Sequence, residues 1–292
     1  MIAFIFPGQG SQKRGMGQGL FDDVPQYAAV EKDVDAILGY SMRRLCLEDP
    51  ENRLKETQFT QPSLYVVNAL HYYKAAREGT QPEYLAGHSL GEYNALLAAG
   101  VFDFLTGLRL VKKRGELMSR AKNGGMGAVI GLGTSTIVGV IKESGLASLD
   151  VANFNTPSQT VVSGPVEEIK RAGPLFEKAG AQMFMPLQVS AAFHSRYMAD
   201  AARAFADFLA PMSFAAPKTP VIANATARPY PTGNASESIK SLLVDQITHS
   251  VQWAQSIGFL ISQGVTQFGE MGPGNVLCSG IGESGERFDP GY

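Results

Sequence analysis

The sequence predicts an α/β protein: a parallel sheet flanked by helices, with a small subdomain inserted into it. Three observations carry the prediction. Short apolar runs closed by glycine, such as Ile2–Phe6 ahead of Pro7-Gly8, read as buried strands of a parallel sheet. Helical patterns alternate with such runs through residue 121. Beyond Asn123-Gly124-Gly125 the order becomes strand, helix, strand, strand, helix, strand, which is the ferredoxin-like order.

The first strand is followed by a glycine-rich turn, Gly8-Gln9-Gly10-Ser11-Gln12, with more glycines at Gly15, Gly17 and Gly19. Helical patterns cover 21–38 and 61–77. A second buried strand, Tyr84-Leu85-Ala86, leads into Gly87-His88-Ser89-Leu90-Gly91, and helices follow over 90–98 and 104–121. In the inserted unit, strands are read at 126–132, 150–153, 159–163 and 182–187, and helices at 134–143 and 166–179. A helix over 196–209, a strand at 220–224, helices near 239–247 and 251–262, and a last strand at 266–268 return the chain to the main sheet. That strand runs into Gly269-Glu270-Met271-Gly272-Pro273-Gly274. The tail, 282–292, is polar and glycine-rich and is expected to be mobile. The large subdomain is accordingly taken as 1–124 with 189–292, and the small one as 125–188.

Composition removes several function classes. The 25 Lys+Arg against 27 Asp+Glu give a net charge of -2, without the basic excess that nucleic-acid binding needs. Two cysteines, Cys46 and Cys278, with no CxxC, argue against a disulfide framework or a structural zinc site and for a reducing compartment. The apolar N-terminus is too short for a signal sequence and has no basic lead-in, and no apolar run approaches the roughly 18 residues of a membrane helix. A cytoplasmic, monomeric protein that binds no metal, nucleic acid or membrane is expected. Dinucleotide fingerprints fail as well. Lys13 stands where Gly8-Gln9-Gly10 needs its third glycine, Ile130 stands where Gly125-Met126-Gly127 needs one, and there is no P-loop. The sequons Asn224-Ala225-Thr226 and Asn234-Ala235-Ser236 read as chance matches.

Gly87-His88-Ser89-Leu90-Gly91 fits G-x-S-x-G between a strand and a helix, the setting of a nucleophile elbow. The sharp turn needs small residues on either side of the serine, and the helix N-terminus faces any developing oxyanion. The plainer reading is a strand-to-helix turn with Ser89 as N-cap. A serine nucleophile needs a base, and the chain has four histidines. His88 diverges from its neighbour on a tight turn and takes a structural or gating role. His71 lies in a helix-surface pattern and reads as solvated. His249, near Trp253, reads as a helix cap. His194, in the loop Val189-Ser190-Ala191-Ala192-Phe193-His194-Ser195 that leads back to the main domain, is the favoured base.

Arg114 follows from helix periodicity. Leu110, Val111, Leu117 and Met118 fall on one face, and position 114 shares it, whereas Lys112, Lys113 and Glu116 point away. An arginine on a buried stripe must be paired, and no acid occupies 110 or 118. A tertiary salt bridge, a snorkelling side chain and an anion-binding site for a ligand carboxylate all remain open at this point.

Taken together, these residues resemble the malonyl-CoA:acyl carrier protein transacylases of fatty acid and polyketide synthesis. Gly8-Gln9-Gly10-Ser11-Gln12 looks like the family's GQGSQ, and Gly87-His88-Ser89-Leu90-Gly91-Glu92-Tyr93 like its GHSLGEY. Arg114-Gly115, Asn153-Phe154-Asn155, Phe193-His194-Ser195 and Gly272-Pro273-Gly274 match in order and spacing, from Phe6 to about residue 277. The length and the segment Ser190-Ala191-Ala192-Phe193-His194 look like the discrete acyltransferases that serve polyketide synthases in trans, such as that of disorazole synthesis.

The resemblance implies an α/β hydrolase-like core and a set of roles. Ser89 would be the nucleophile and His194 the general base, passing a malonyl group from malonyl-CoA to the phosphopantetheine thiol of a carrier protein in two half-reactions. The backbone N–H groups of Gln9 and Leu90 would form the oxyanion hole. The backbone carbonyl of Gln246 would orient the histidine, with no acid as third member. Arg114 would grip the malonyl carboxylate. Phe193, His88, Asn153 and Asn155 would line the substrate pocket, and the Phe193 ring would exclude an α-methyl branch. No cofactor is implied beyond the two substrates. The competing readings are a serine esterase or thioesterase, a proofreading acyl hydrolase of trans-acting polyketide systems, and an inactive docking protein. A plain hydrolase leaves Arg114 and GQGSQ without a purpose.

Overall fold

The computed structural model describes residues 1–283. Strand β1 (Ile2–Phe6) forms as read. The stretch expected as one helix over 21–38 is three: α1 (Leu20–Asp23), α2 (Pro25–Ala28) and α3 (Glu31–Leu38). Pro25 has no N–H to continue a helix and sits at the first position of a new one. Helix α4 (Met42–Glu48) is absent from the sequence reading; the Ser41 side chain caps it by accepting from the Arg44 N–H. Helix α5 (Thr57–Arg77) begins a turn before 61 and carries Pro62 inside it. Then come β2 (Tyr84–Gly87), α6 (Gly91–Ala98) and α7 (Phe104–Ser119), the last capped by Asp103 accepting from the Thr106 N–H.

The middle of the chain gives β3 (Gly124–Ile130), α8 (Thr134–Glu143), β4 (Asp150–Thr156), β5 (Gln159–Pro165), α9 (Val166–Lys178) and β6 (Met183–Pro186). A 3₁₀ turn, Arg196–Met198, leads into α10 (Ala199–Leu209). The chain continues through β7 (Val221–Ala223), β8 (Arg228–Pro229), α11 (Ala235–Thr248), α12 (Trp253–Ser262), β9 (Gln267–Glu270) and α13 (Val276–Glu283). The tail expected to be mobile from 282 is helical as far as Glu283, and 284–292 lie outside the described residues.

Five strands form the main sheet in the order β8-β7-β2-β1-β9. All neighbours are parallel except the β7–β8 edge. Alternation along β1 explains its continuous apolar run. Phe4 and Phe6 pack into the large core with α5 and α7, whereas Ala3 and Ile5 pack on the opposite face with Trp253, Ile257 and Leu260 of α12. A strand covered on both faces has no polar side.

The second sheet, β4-β5-β3-β6, is antiparallel and spans the same central segment that carries the βαββαβ order. Val129 and Val162 pack against α8 and α9, while Met126, Ala128 and Val161 face the large core. Strand β4 is tied to the segment before α12: the Phe154 N–H donates to the Val251 carbonyl, and the Val251 N–H to that of Ala152. The turns after β1 and β2 and the strands β3, β4 and β5 border one cleft. Among the described residues no helix is long and apolar enough to cross a membrane.

Candidate active site

The elbow is built where β2 passes into α6. Ser89 has φ +51°, a left-handed conformation that costs a non-glycine residue about 1–2 kcal/mol. The residues two positions away on either side must be glycine. A Cβ at Gly87 would lie 2.0 Å from the Gly91 carbonyl, and one at Gly91 would lie 2.0 Å from the Phe6 carbonyl oxygen. Two distant side chains, Asn224 and Gln246, satisfy the backbone groups of the strained turn. The Ser89 N–H donates to Asn224 Oδ1 at 2.6 Å, and Asn224 Nδ2 donates to the Gly87 carbonyl at 2.7 Å. Gln246 Nε2 donates to the Ser89 carbonyl at 2.8 Å. Leu90, not Ser89, is the N-cap of α6, and no side chain caps it, so the plainer reading of the serine fails.

Ser89 Oγ lies 2.8 Å from His194 Nε2, and His194 Nδ1 lies 2.8 Å from the Gln246 carbonyl oxygen. A carbonyl only accepts, so Nδ1 carries the proton and Nε2 is left to accept from the serine hydroxyl. Burial, followed by the charge of Arg114, pushes the His194 pKa down to about 3, so the ring is neutral near pH 7. His88 turns away from this pair. Its Nε2 meets Asn155 Oδ1 at 2.9 Å and its ring meets Trp253 edge-on. His249 caps α11, with Nδ1 2.8 Å from the Asp245 carbonyl. His71, expected to be solvated, is half-buried instead, because its helix face lies partly under neighbouring elements.

Arg114 is buried on α7, 1 % exposed, which excludes snorkelling. No carboxylate lies within ion-pair distance among the described residues, which excludes the tertiary salt bridge. Neutral groups hold it instead. Nη1 donates to Gln61 Oε1 at 2.8 Å, and Nη2 donates to Gln246 Oε1 at 2.9 Å and to Ser89 Oγ at 3.1 Å. The guanidinium also lies over the Tyr93 ring, 5.5 Å from its centre. Nε has no partner among the described residues.

A cavity of about 150 Å³ between the two sheets is lined by Gln9, His88, Ser89, Leu90, Arg114, Asn153, Asn155, Phe193 and His194. Every residue assigned to the site from sequence therefore borders one space, except Gln246, which stands behind His194 and Arg114. The N–H groups of Gln9 and Leu90 make no hydrogen bond to the protein among the described residues, as an oxyanion hole requires. Parallel pairing brings them together: Phe6 is in register with Gly87, so the turns after β1 and β2 emerge side by side. A second cavity of about 280 Å³ shares Gln9, His88 and Asn155 and extends past Trp253 and Leu277. Among the described residues no group of His, Cys, Asp or Glu is arranged to hold a metal ion.

Four residues of the site were missed in sequence. Asn224, set aside with its sequon, locks the elbow. Gln61 and Tyr230 lie in segments with no motif. Glu92 had a signal: it stands in the Gly87–Tyr93 motif, an acid just ahead of the apolar run Tyr93-Asn94-Ala95-Leu96-Leu97, but was given no role. It is fully buried, accepts from Gln246 Nε2 and Tyr230 Oη, and burial pushes its carboxyl up to about 7.

Comparison with known proteins gives a consistent picture. The family described as acyl transferase domain matches residues 3–284. The polyketide biosynthesis malonyl CoA-acyl carrier protein transacylase PksC of Bacillus subtilis is 53% identical over 279 residues, which is 95% of this chain and 94% of that one. The malonyl CoA-acyl carrier protein transacylase of Escherichia coli K12 is 40% identical over 284 residues, 94% of this chain and 90% of the relative. A crystal structure of malonyl CoA-acyl carrier protein transacylase from Burkholderia pseudomallei superposes with a TM-score of 0.92 at 46% identity, over 99% of both chains. A malonyl-transacylase solved in complex with its type II polyketide synthase acyl-carrier protein has a TM-score of 0.89 at 36% identity, over 95% of this chain and 91% of that one.

The electrostatics of His194 make a prediction. With its pKa lowered, the ring gains a proton only well below the ordinary 6.5. In ¹⁵N NMR of the folded protein, His194 should stay neutral with its proton on Nδ1 from about pH 8 to about pH 5. A titration with a midpoint near 6.5 would contradict this environment.

Proposed function

The chain belongs to the acyl transferase domain family, and we propose that it carries a malonyl group from malonyl-CoA, through an ester on Ser89, to the phosphopantetheine thiol of an acyl carrier protein in polyketide biosynthesis. Arg114 carries this reading: a buried cation, without a carboxylate of its own, hydrogen-bonded to the nucleophile. A guanidinium in that position matches a substrate that brings its own carboxylate. The names of the relatives support the polyketide setting, and the solved pair supports a carrier protein as partner.

The steps follow from the contacts. His194 Nε2 takes the proton from Ser89 Oγ as the oxygen attacks the thioester carbonyl. The oxyanion that forms faces the free N–H groups of Gln9 and Leu90. The imidazolium then protonates the departing CoA sulfur. In the second half-reaction the same base takes the proton of the carrier thiol, the thiolate attacks the ester, and the proton returns to Ser89. Two half-reactions through one serine give ping-pong kinetics. Arg114 has a second effect, since its charge depresses the basicity of His194. A malonyl carboxylate on Arg114 cancels part of that charge and makes His194 a better base when the right acyl group is bound. The proposed chemistry needs no cofactor.

Two experiments test the reading. Intact-mass spectrometry after incubation with malonyl-CoA should show one added malonyl group, absent in Ser89→Ala, and the adduct should pass to a phosphopantetheinylated carrier protein. Release of free malonate at the same rate with and without the carrier would indicate a hydrolase. Phe193, at the cavity wall, sets the second. Excluding an α-methyl by overpacking is worth roughly 1–3 kcal/mol, about 5- to 150-fold. Phe193→Ser should raise methylmalonyl transfer relative to malonyl transfer by a factor in that range, and an unmoved ratio would place the selectivity elsewhere.

A further inference from the structure

Glu92 lies on α6, three residues past Ser89, and is buried completely. A carboxylate at that depth needs donors, and three converge on it. Gln246 Nε2 and Tyr230 Oη each donate at 2.5 Å, and the Asn224 N–H approaches both oxygens at 3.3 Å. The Gln246 amide is thereby ordered from end to end. Its Nε2 is committed to Glu92 and to the Ser89 carbonyl, so its Oε1 faces Arg114 Nη2, which donates across 2.9 Å. If the amide turned over, nitrogen would meet nitrogen at Arg114 and oxygen would meet oxygen at Glu92. A buried arrangement of that kind leaves both partners unsatisfied.

We propose that Glu92 is a positioning residue for carboxylate selection: through the Gln246 amide it holds the Arg114 guanidinium in the pose that receives the malonyl carboxylate. Glu92 itself touches no substrate. Its influence divides the two functions of Gln246. The main-chain carbonyl that orients His194 belongs to the backbone of α11, whereas the amide that meets Arg114 depends on Glu92. Loss of the relay should therefore disturb recognition of the carboxylate more than the serine–histidine chemistry. The inference rests on the malonyl-transfer reading above.

The test is the ratio of kcat/KM for acylation of Ser89 by malonyl-CoA and by acetyl-CoA, in which a general loss of activity cancels. Glu92→Met, similar in size but without an acceptor, should lower the ratio about tenfold or more, in line with loss of a buried hydrogen bond to a charged group. Gln246→Leu breaks the same relay at its other end and should give a similar fall. The double variant should be no lower than either single one, because both remove one connected unit. Glu92→Gln retains an oxygen for Gln246 Nε2, and the Tyr230 hydroxyl can accept from its new amide, so its ratio should stay within about threefold of wild type. If Glu92→Met does not fold, Gln246→Leu and Glu92→Gln carry the test. A wild-type ratio near one overturns the malonyl reading and this inference with it. A high wild-type ratio that Glu92→Met or Gln246→Leu leaves in place overturns this inference alone. A fall in Glu92→Gln as deep as that expected of Glu92→Met also overturns it, since charge rather than the hydrogen-bonded relay would then be the agent.

Discussion

One buried guanidinium, with no carboxylate in contact among the described residues, is the constraint around which the site is organised. Removing such a charge from water costs at least several kcal/mol, and the cost must be offset by well-placed neighbours. Here each neighbour comes from a different part of the fold. Gln61 comes from α5, Gln246 from α11, Tyr93 from α6 and the Ser89 hydroxyl from the elbow. These elements must be docked correctly before the charge is satisfied. The same four contacts leave Nε without a partner among the described residues, so the arginine is held but not saturated. A hydrolase that accepts neutral acyl groups has no use for this arrangement.

Ser89 depends on the same neighbours. Ser89 stays in its left-handed conformation because Asn224 and Gln246 satisfy the backbone groups on either side of it. Gln246 serves three partners: the elbow and Arg114 through its amide, and His194 through its main-chain carbonyl. A carbonyl fixes the tautomer of the histidine as a carboxylate would, but stabilises the imidazolium less. The proximity of Arg114 lowers the basicity of His194 further. In the proposed reaction this deficit is partly restored by the substrate, whose carboxylate offsets the arginine charge. Recognition and base strength are thereby coupled through one side chain.

Local patterns in the sequence made much of this legible. Two buried strands, the glycine pair around Ser89 and the apolar face of α7 each depend on residues close together in the chain, and each formed as expected. Elements that depend on distant packing were less visible. Pro25 starts a new helix inside what reads as one helical stretch, and Pro62 lies inside α5 without ending it. The two-residue edge strand β8 and the α13 helix carry too little periodicity to be read. In the site, the residues proposed to carry chemistry stood in motifs. The residues that hold them in place, Asn224, Gln61, Tyr230 and Glu92, do so through side-chain contacts that span 53 or more positions of sequence. No local pattern reports such contacts. The resemblance to the transacylases supplied Gln246, which periodicity alone could not have singled out.

The most direct test of the account is the malonyl-to-acetyl ratio of transfer efficiencies in wild type, Arg114→Ala and Arg114→Lys. Deleting one partner of a buried charge pair costs about 3–5 kcal/mol, which at about 1.4 kcal/mol per decade is two to four orders of magnitude. Arg114→Ala should lose malonyl transfer on that scale while acetyl transfer holds steady or improves, and Arg114→Lys should recover only part of the loss because it lacks the planar fork. If malonyl and acetyl transfer fall by the same factor, Arg114 is a structural residue and the carboxylate is read by another group.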